Sequence, residues 1–311
     1  MKLRQLRYFM RVMETGNITR AAEQLNLAQT ALGIQIRNLE DSLATELLER
    51  HSRGVTPTRA GRLLYERAQD ILRRIDETQR DIAALSSEKM TVRLGATPSI
   101  LKLIGNDLIV SGADTLPNLQ LHLVEELSFV LFDSLNRGEL DYILAYDAPD
   151  MPGVKRYPLM EEDLLHVSAP QADQPTGPLT FREAMSRDLA LASSRDTISQ
   201  LLHSIASRLS IEVNVAYQVQ SMESIKRLIQ HGVADSIMPY GTVMQQIKSG
   251  EVVAREIIQP HVRRTLYLMS AADRHPLADE RPFLAFIESM IEKLRMAIGP
   301  YAFEIDRPRL A

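Results

Sequence analysis

Along the first 58 residues, apolar positions recur at helical spacing in short runs that turn signals interrupt. Leu3, Leu6, Tyr8, Phe9, Val12 and Met13 share one face and predict a first helix. Gly16 ends it, and Asn17 and Thr19 are both candidate N-caps for a second helix over 20–25. Within that helix Ala21 and Ala22 are small enough to let a neighbour approach closely. A tight turn at Asn26-Leu27 leads to a third helix over about 29–42, with Ala31, Leu32, Ile34, Ile36 and Leu39 on its buried side. Residues 47–58 read as two short extended pieces around Ser52-Arg53-Gly54, a hairpin.

The pattern then changes. Thr58 is placed to cap one long helix over 59–88. On it Leu64, Ala68, Ile71, Ile75, Thr78, Ile82 and Leu85 follow each other at spacings of 4, 3, 4, 3, 4 and 3, a heptad stripe flanked by charges. Such a stripe needs a cover, either a second copy of the helix or the C-terminal domain of its own chain. From residue 91 onward strand-like and helix-like segments alternate, as in an α/β domain. Strands are expected at 91–96, 119–125, 141–146, 188–192, 213–219 and 265–270. Helices are expected after Thr97-Pro98-Ser99 and at 129–136, 198–210, 221–231 and about 277–298. Residues 232–240 read as a turn, a strand and a loop, and 301–311 as a partly ordered tail.

Composition removes several possibilities. The 311 residues include no cysteine, which excludes disulfides, thiol nucleophiles and thiolate-bound zinc. The seven histidines are scattered without ligand spacing, so no metal site is expected. No apolar run is long enough for a membrane-spanning helix, and the N-terminus lacks a secretory core, so a cytoplasmic location is expected. None of the nucleophile-elbow, phosphate-loop, dinucleotide or zinc-protease motifs occurs, and an enzyme is not expected. The acidic clusters Glu125-Glu126 and Glu161-Glu162-Asp163 read as solvated faces. The net charge of −4 is unevenly placed: residues 1–74 carry 13 Lys and Arg against 8 Asp and Glu, a net of +5. A basic end on an acidic body suggests that only the N-terminal part meets a polyanion.

Two short helices joined by a tight turn, the second amphipathic, describe a helix-turn-helix, and the hairpin after it describes a wing. In that geometry the second helix enters the DNA major groove with its N-terminal residues toward base edges. Gln29, Thr30, Gly33, Gln35 and Arg37 on this helix, with Thr19 beside it, are the candidate readers. Arg50 and Arg53 on the wing are candidates for phosphate or the minor groove. Each is equally compatible with an ordinary polar surface.

Ala21-Ala22-Glu23-Gln24-Leu25, Gln29-Thr30-Ala31-Leu32, Gln35-Ile36-Arg37-Asn38-Leu39-Glu40, Leu47-Leu48-Glu49-Arg50 and Thr56-Pro57-Thr58-Arg59-Ala60-Gly61 together resemble the signature of LysR-type transcriptional regulators. The sequence departs from that pattern at Ala28, Thr30 and Gly33, where the family usually has Ser, Pro and often Ser. The resemblance implies a winged helix-turn-helix over 1–58, a dimerising linker helix over 59–89, and a periplasmic-binding-protein-like effector domain over 90–311. That last domain would comprise one lobe of about 90–162 and 267–300 and a second of about 163–266. It implies promoter DNA, a small-molecule effector and further copies of the chain as partners, a dimer through the linker helix and then a tetramer, and admits RNA polymerase. No cofactor is implied. The effector cleft would be lined by Thr97, Pro98, Ser99, Tyr146, Arg195, Thr197 and Ser221. Arg195 and the helix N-terminus at Thr97 suit an anionic effector. Other readings stay open there: Thr97 as a cap alone, Tyr146 as a core aromatic, and Arg195 in a surface ion pair.

Overall fold

The computed structural model describes residues 1–51, 54–84, 89–171, 177–272, 277, 280–306 and 310, with backbone alone at 76, 77, 80, 81, 83 and 84. The chain forms two compact units, Met1–Ser87 with Asn136–Gly138, and Glu88–Leu135 with Glu139–Ala311.

In the first unit α1 (Leu3–Thr15), α2 (Ile18–Gln24) and α3 (Gln29–Leu43) precede the hairpin β1 (Leu48–His51) and β2 (Gly54–Pro57), then the long α4 (Arg59–Ala84). α1 stops where Gly16 adopts a φ of 61° and its N–H closes on the Val12 carbonyl. Of the two candidate caps for α2, Asn17 fills the role: its Oδ1 accepts from the Arg20 amide at 3.1 Å, and Thr19 lies inside the helix. The domain core gathers Phe9, Val12, Ala21, Ala22, Leu32, Ile36, Leu39 and Leu47. α3 thus buries only a narrow stripe at positions 32, 36 and 39. Ala31 and Ile34, expected on the buried side, lie off that stripe and are exposed.

The Thr58 hydroxyl accepts from the Gly61 amide at 3.0 Å, which starts α4 as expected. The heptad stripe of α4 then divides. Ala68 is fully buried against Leu6 and Met10 of α1, with Leu64 and Ile71 packed around it. Its expected place in a seam between copies is therefore corrected: α1 of the same chain already covers it. Farther along, Ile75 is half-buried, Thr78 is exposed with its hydroxyl on the Arg74 carbonyl, and Ile82 is 63% exposed. Leu85 lies outside the described residues.

The second unit begins with β3 (Met90–Ala96), α5 (Pro98–Thr115), β4 (Leu119–Glu125), α6 (Ser128–Asn136) and β5 (Tyr142–Tyr146). Its strands form a parallel sheet in the order β4-β3-β5. β6 (Val154–Ser168) follows, then β7 (Leu179–Thr180), α7 (Phe181–Met185), β8 (Leu189–Leu191), α8 (Thr197–Leu209), β9 (Val215–Gln218) and α9 (Met222–Gln230). β10 (Ser236–Pro239), α10 (Tyr240–Lys248), β11 (Val253–Ile258), β12 (Arg263–Ala271), α11 (Arg281–Ile298) and β13 (Ala302–Glu304) complete the order. One core, around Leu94, Ile100, Leu144, Leu268, Phe283 and Ile287, lies in a first lobe. Two others, around Leu164, Phe181 and Leu202 and around Leu165, Ile225 and Met238, lie in a second. β6 and β12 run antiparallel through both lobes and join them, pairing from Arg263 with Asp163 to Ala271 with Val154.

The hydropathy pattern assigns no element to the segments of β6, α10 and β11. From Leu159 to Ser168 only Glu161 keeps exposure, so the period-two signature of a half-buried strand is missing. Within the tail, residues 302–304 add a strand to β6, opposite Glu162, Glu161 and Met160.

Candidate functional site

In the first unit several of the sequence candidates gather where α2, α3 and the wing converge. Three hydrogen bonds hold the wing. Glu40 near the end of α3 accepts from the amides of Leu47 and Leu48 with one carboxylate oxygen, at 2.8 and 3.2 Å. The Val55 amide donates to the Gly16 carbonyl at 2.9 Å, tying β2 to the turn between α1 and α2. Gly54, at a φ of 141°, makes this possible, because a Cβ there would stand 2.3 Å from the Gly16 carbonyl oxygen.

The convergence leaves a concavity of about 300 Å³ lined by Asn17, Ile18, Thr19, Gln29, Arg50, His51, Gly54 and Val55. The sequence candidates Thr19, Gln29 and Arg50 thus meet in one place. Gln29, Thr30 and Arg37 are exposed, whereas Gly33 and Gln35 are half-buried. Arg53 lies outside the described residues. Ala28 precedes α3 without a side-chain cap, so the helix presents uncapped amides at the end that faces this concavity. The other side of the wing differs in sign: the groove along Arg37 and Arg50 there also carries Glu40, Asp41, Glu46 and Glu49. The concavity with Asn17, Thr19 and Gln29 carries Arg50 and no carboxylate among its lining residues. Sequence reading missed Asn17 as part of it, because a capping residue gives no separate sign of facing a ligand.

In the second unit the chemistry centres on Arg264, which is 4% exposed. Its Nε and Nη2 donate to Glu162 Oε2 at 3.1 and 2.6 Å, and Nη2 also donates to Ser99 Oγ at 3.2 Å. Its guanidinium lies 3.3 Å from the centroid of the Tyr146 ring. These contacts draw together the start of α5, the end of β5 and both strands that join the lobes. Ser99 Oγ is in turn 3.3 Å from Thr97 Oγ1. Pro98 opens α5, as expected, and the Ile100 and Leu101 amides already close on the Thr97 carbonyl.

Two more carboxylates face this centre. Asp147 pairs with Thr265 in both directions, but its Oδ2 is buried with no hydrogen-bond partner among the described residues. Burial pushes its pKa up, against the pull of the Thr265 bond and of Arg264. Asp196 caps α8 through the Ile198 amide at 3.1 Å, and burial raises its pKa as well, against backbone bonds from α8 and the charge of Arg264. Burial likewise raises the Tyr146 hydroxyl well above its ordinary value. The centre therefore holds one guanidinium among three carboxyl groups.

Of the seven expected cleft residues, Thr97, Pro98, Ser99 and Tyr146 gather at this centre. Thr197 is buried at the start of α8, next to Asp196. The other two are placed elsewhere. Arg195 is 65% exposed, pairs with Asp133 at 3.1 Å and lies over the Phe129 ring. Ser221 is exposed and caps α9 through the Ser224 amide at 3.2 Å. The expectation that Glu161-Glu162-Asp163 is a solvated face is corrected: Glu162 is 1% exposed and Asp163 pairs with Arg263 at 2.7 Å. Alternation along β6 and β12 sends Asp163 and Arg263 to one face and Glu162 and Arg264 to the other. An acidic triplet and an Arg-Arg pair, one on each strand, was the available signal.

The lobes also touch beside this centre. The Lys102 ammonium of α5 donates to the Thr242 carbonyl of α10 at 3.2 Å, and burial together with Lys226 lowers its pKa. Gly241 packs onto α5 so closely that a Cβ would stand 2.8 Å from the Ser99 carbonyl oxygen.

Two family models match this chain. One, described as the bacterial regulatory helix-turn-helix protein, lysR family, covers residues 3–62, and the LysR substrate binding domain covers residues 86–292. The nitrogen assimilation regulatory protein nac of Klebsiella aerogenes is 30% identical over 248 residues, 77% of this chain and 78% of that protein. The HTH-type transcriptional regulator BbuR of Bordetella bronchiseptica is 27% identical over 92% of this chain and 89% of its own. Among solved structures, Corynebacterium glutamicum OxyR with bound H2O2 superposes with a TM-score of 0.59 at 20% identity, covering 96% and 94% of the two chains. Full-length CbnR in complex with its target DNA gives 0.55 at 20% identity, covering 95% of this chain and all of that one.

Proposed function

This chain belongs to the LysR family of DNA-binding transcriptional regulators, with a helix-turn-helix and a substrate-binding domain, and on that premise we propose how its own residues divide the task. Two copies bind promoter half-sites. In each, the exposed side of α3 enters the major groove with Gln29, Thr30, Gly33 and Gln35 toward bases, while Thr19, Arg37 and the wing residues Arg50 and Arg53 contact the backbone. The observation that carries this reading is the wing clamp. Glu40 and Gly16 hold β1 and β2 so that Arg50, Thr19 and Gln29 line one concavity.

The copies pair through the outer part of α4, where Ile75, Thr78 and Ile82 remain for a partner, with Leu64, Ile71 and Leu85 flanking. The effector sits between the lobes at the Arg264 centre and acts by population shift, binding one lobe arrangement better than the other. An acidic group on the effector fits Thr97, Ser99 and the start of α5, and it competes with Glu162 for Arg264. A donor group on the same molecule fits the unpartnered Oδ2 of Asp147. A cytoplasmic site of action and contact with RNA polymerase accompany this reading.

Selection of duplexes from a random pool by the full-length protein tests it. Wild type enriches a two-fold symmetric site and Gln29→Ala changes the enriched base at one position of each half-site. Enrichment of no sequence by wild type, or of the same sequence by Gln29→Ala, contradicts the assignment of α3. Thermal shift against small carboxylic acids, with and without an amino group, tests the cleft. Stabilisation by an amino acid-like member that Ser99→Ala abolishes supports it, and a response unchanged in Ser99→Ala contradicts it.

A further inference from the structure

We propose that Ile34 is a specificity-determining residue that recognises the C5-methyl group of a thymine in each half-site. The inference rests on the reading of α3 as the groove helix. On α3 the core takes Leu32, Ile36 and Leu39, and the opposite face carries Thr30, Gly33, Ile34 and Arg37 at helical spacing. Ile34 is 54% exposed, the one large apolar side chain on that face. It contributes little to the core of its domain, and a β-branched residue inside a helix is a modest conformational cost. Its apolarity is therefore unexplained by folding.

The geometry suits contact with a base. A β-branched side chain in a helix has one strongly preferred rotamer, and helical side chains lean toward the N-terminus. Ile34 thus presents a stiff apolar surface toward Thr30 and Gln29, at the end of α3 that approaches base edges. Next to it Gly33 leaves open space: a Cβ built there meets nothing within 4 Å. A flat patch beside a projecting isoleucine admits close approach of a base-pair edge. In the major groove the thymine methyl is the apolar feature of the base edges, all the others being hydrogen-bond donors or acceptors. Removing a buried methyl weakens binding by about four-fold.

The test uses deoxyuridine, which keeps thymine's hydrogen bonds and lacks only the methyl. The duplex selected by the full-length protein is remade with each thymine replaced singly, and affinities are measured by fluorescence anisotropy for wild type and Ile34→Ala. The exposed position and alanine's helix propensity leave the fold of the variant intact. The proposal expects one position per half-site at which the replacement weakens wild type about three- to five-fold and leaves Ile34→Ala unaffected. Sensitivity that persists in Ile34→Ala, or selective binding with no sensitive thymine, overturns the assignment of Ile34 alone. Absence of selective binding by wild type overturns the groove reading along with it.

Discussion

Gly33 sits inside α3 with open space where a side chain would be, which makes it a cost to the helix without a packing reason. Gly33→Ala is expected to stabilise the N-terminal unit by roughly 0.5–1 kcal/mol. Calorimetry would show its unfolding transition move up by a few degrees, and a fall would contradict the open space described. Asp147 gives a second prediction at this scale. Its folded-state pKa is raised by burial, so the ionised form is disfavoured in the fold. The penalty is fully present above the folded pKa and is relieved as the pH falls through it toward the ordinary carboxylate value of about 4. Asp147→Asn retains an acceptor for the Thr265 amide. It is therefore expected to raise the melting temperature at pH 7, with the gain over wild type shrinking between pH 7 and pH 4. A gain that grows on acidification would contradict the buried carboxylate. Single residues were unevenly legible in the sequence. Asn17 as a cap and Pro98 at the head of α5 follow from local preferences alone. Glu162 and Arg264 stand 102 positions apart, and no local rule reveals that β6 and β12 align them.

At the scale of elements, the wing is the part whose position is most specifically determined. Glu40 supplies one charged acceptor to two successive amides at the start of β1. Glu40→Ala removes both bonds and is expected to cost about 2 kcal/mol, since hydrogen bonds to charged groups contribute roughly 1.5–3 kcal/mol each and this one is only partly buried. Amide exchange at Leu47 and Leu48 would rise in the variant, and unchanged protection there would contradict the clamp. α4 shows what a hydropathy stripe does and does not say. The spacing of Leu64, Ala68, Ile71, Ile75 and Ile82 declares an apolar face, but not what covers it. α1 covers the first part, because Leu6 and Met10 project onto Ala68, and leaves the outer part open. Ile82→Glu is accordingly expected to shift the protein toward monomer in light scattering, whereas Ala68→Ser is expected to lower the stability of the N-terminal unit. An unchanged mass for Ile82→Glu would assign pairing to some other surface. β6 escaped sequence reading for the converse reason: a strand buried on both faces loses the alternation that identifies strands.

For the molecule as a whole, charge and topology divide the work. The basic residues concentrate before residue 75, on the unit that carries the helix-turn-helix, and the acidic remainder belongs to the two-lobed unit. That division, the winged motif and the α/β alternation were all legible in the sequence. The content of the lobe junction was not, because it depends on the register of two long strands and on burial that composition does not reveal. The structure places Arg195 in an exposed ion pair with Asp133 and buries Arg264 among Glu162, Ser99 and Tyr146. An effector acting there must exchange bonds with a formed network, so its influence on the lobes comes from rearranging existing contacts.

Whether the face formed by α3 and the wing binds DNA is read from the salt dependence of binding. Affinity of full-length protein for its selected duplex is measured across a range of salt for wild type and for the Arg37→Ala/Arg50→Ala variant. Weaker binding by the variant is expected, with a log–log slope shallower by about 0.9 for each phosphate the variant no longer neutralises. Equal affinities and equal slopes for the two proteins would contradict DNA binding by that face.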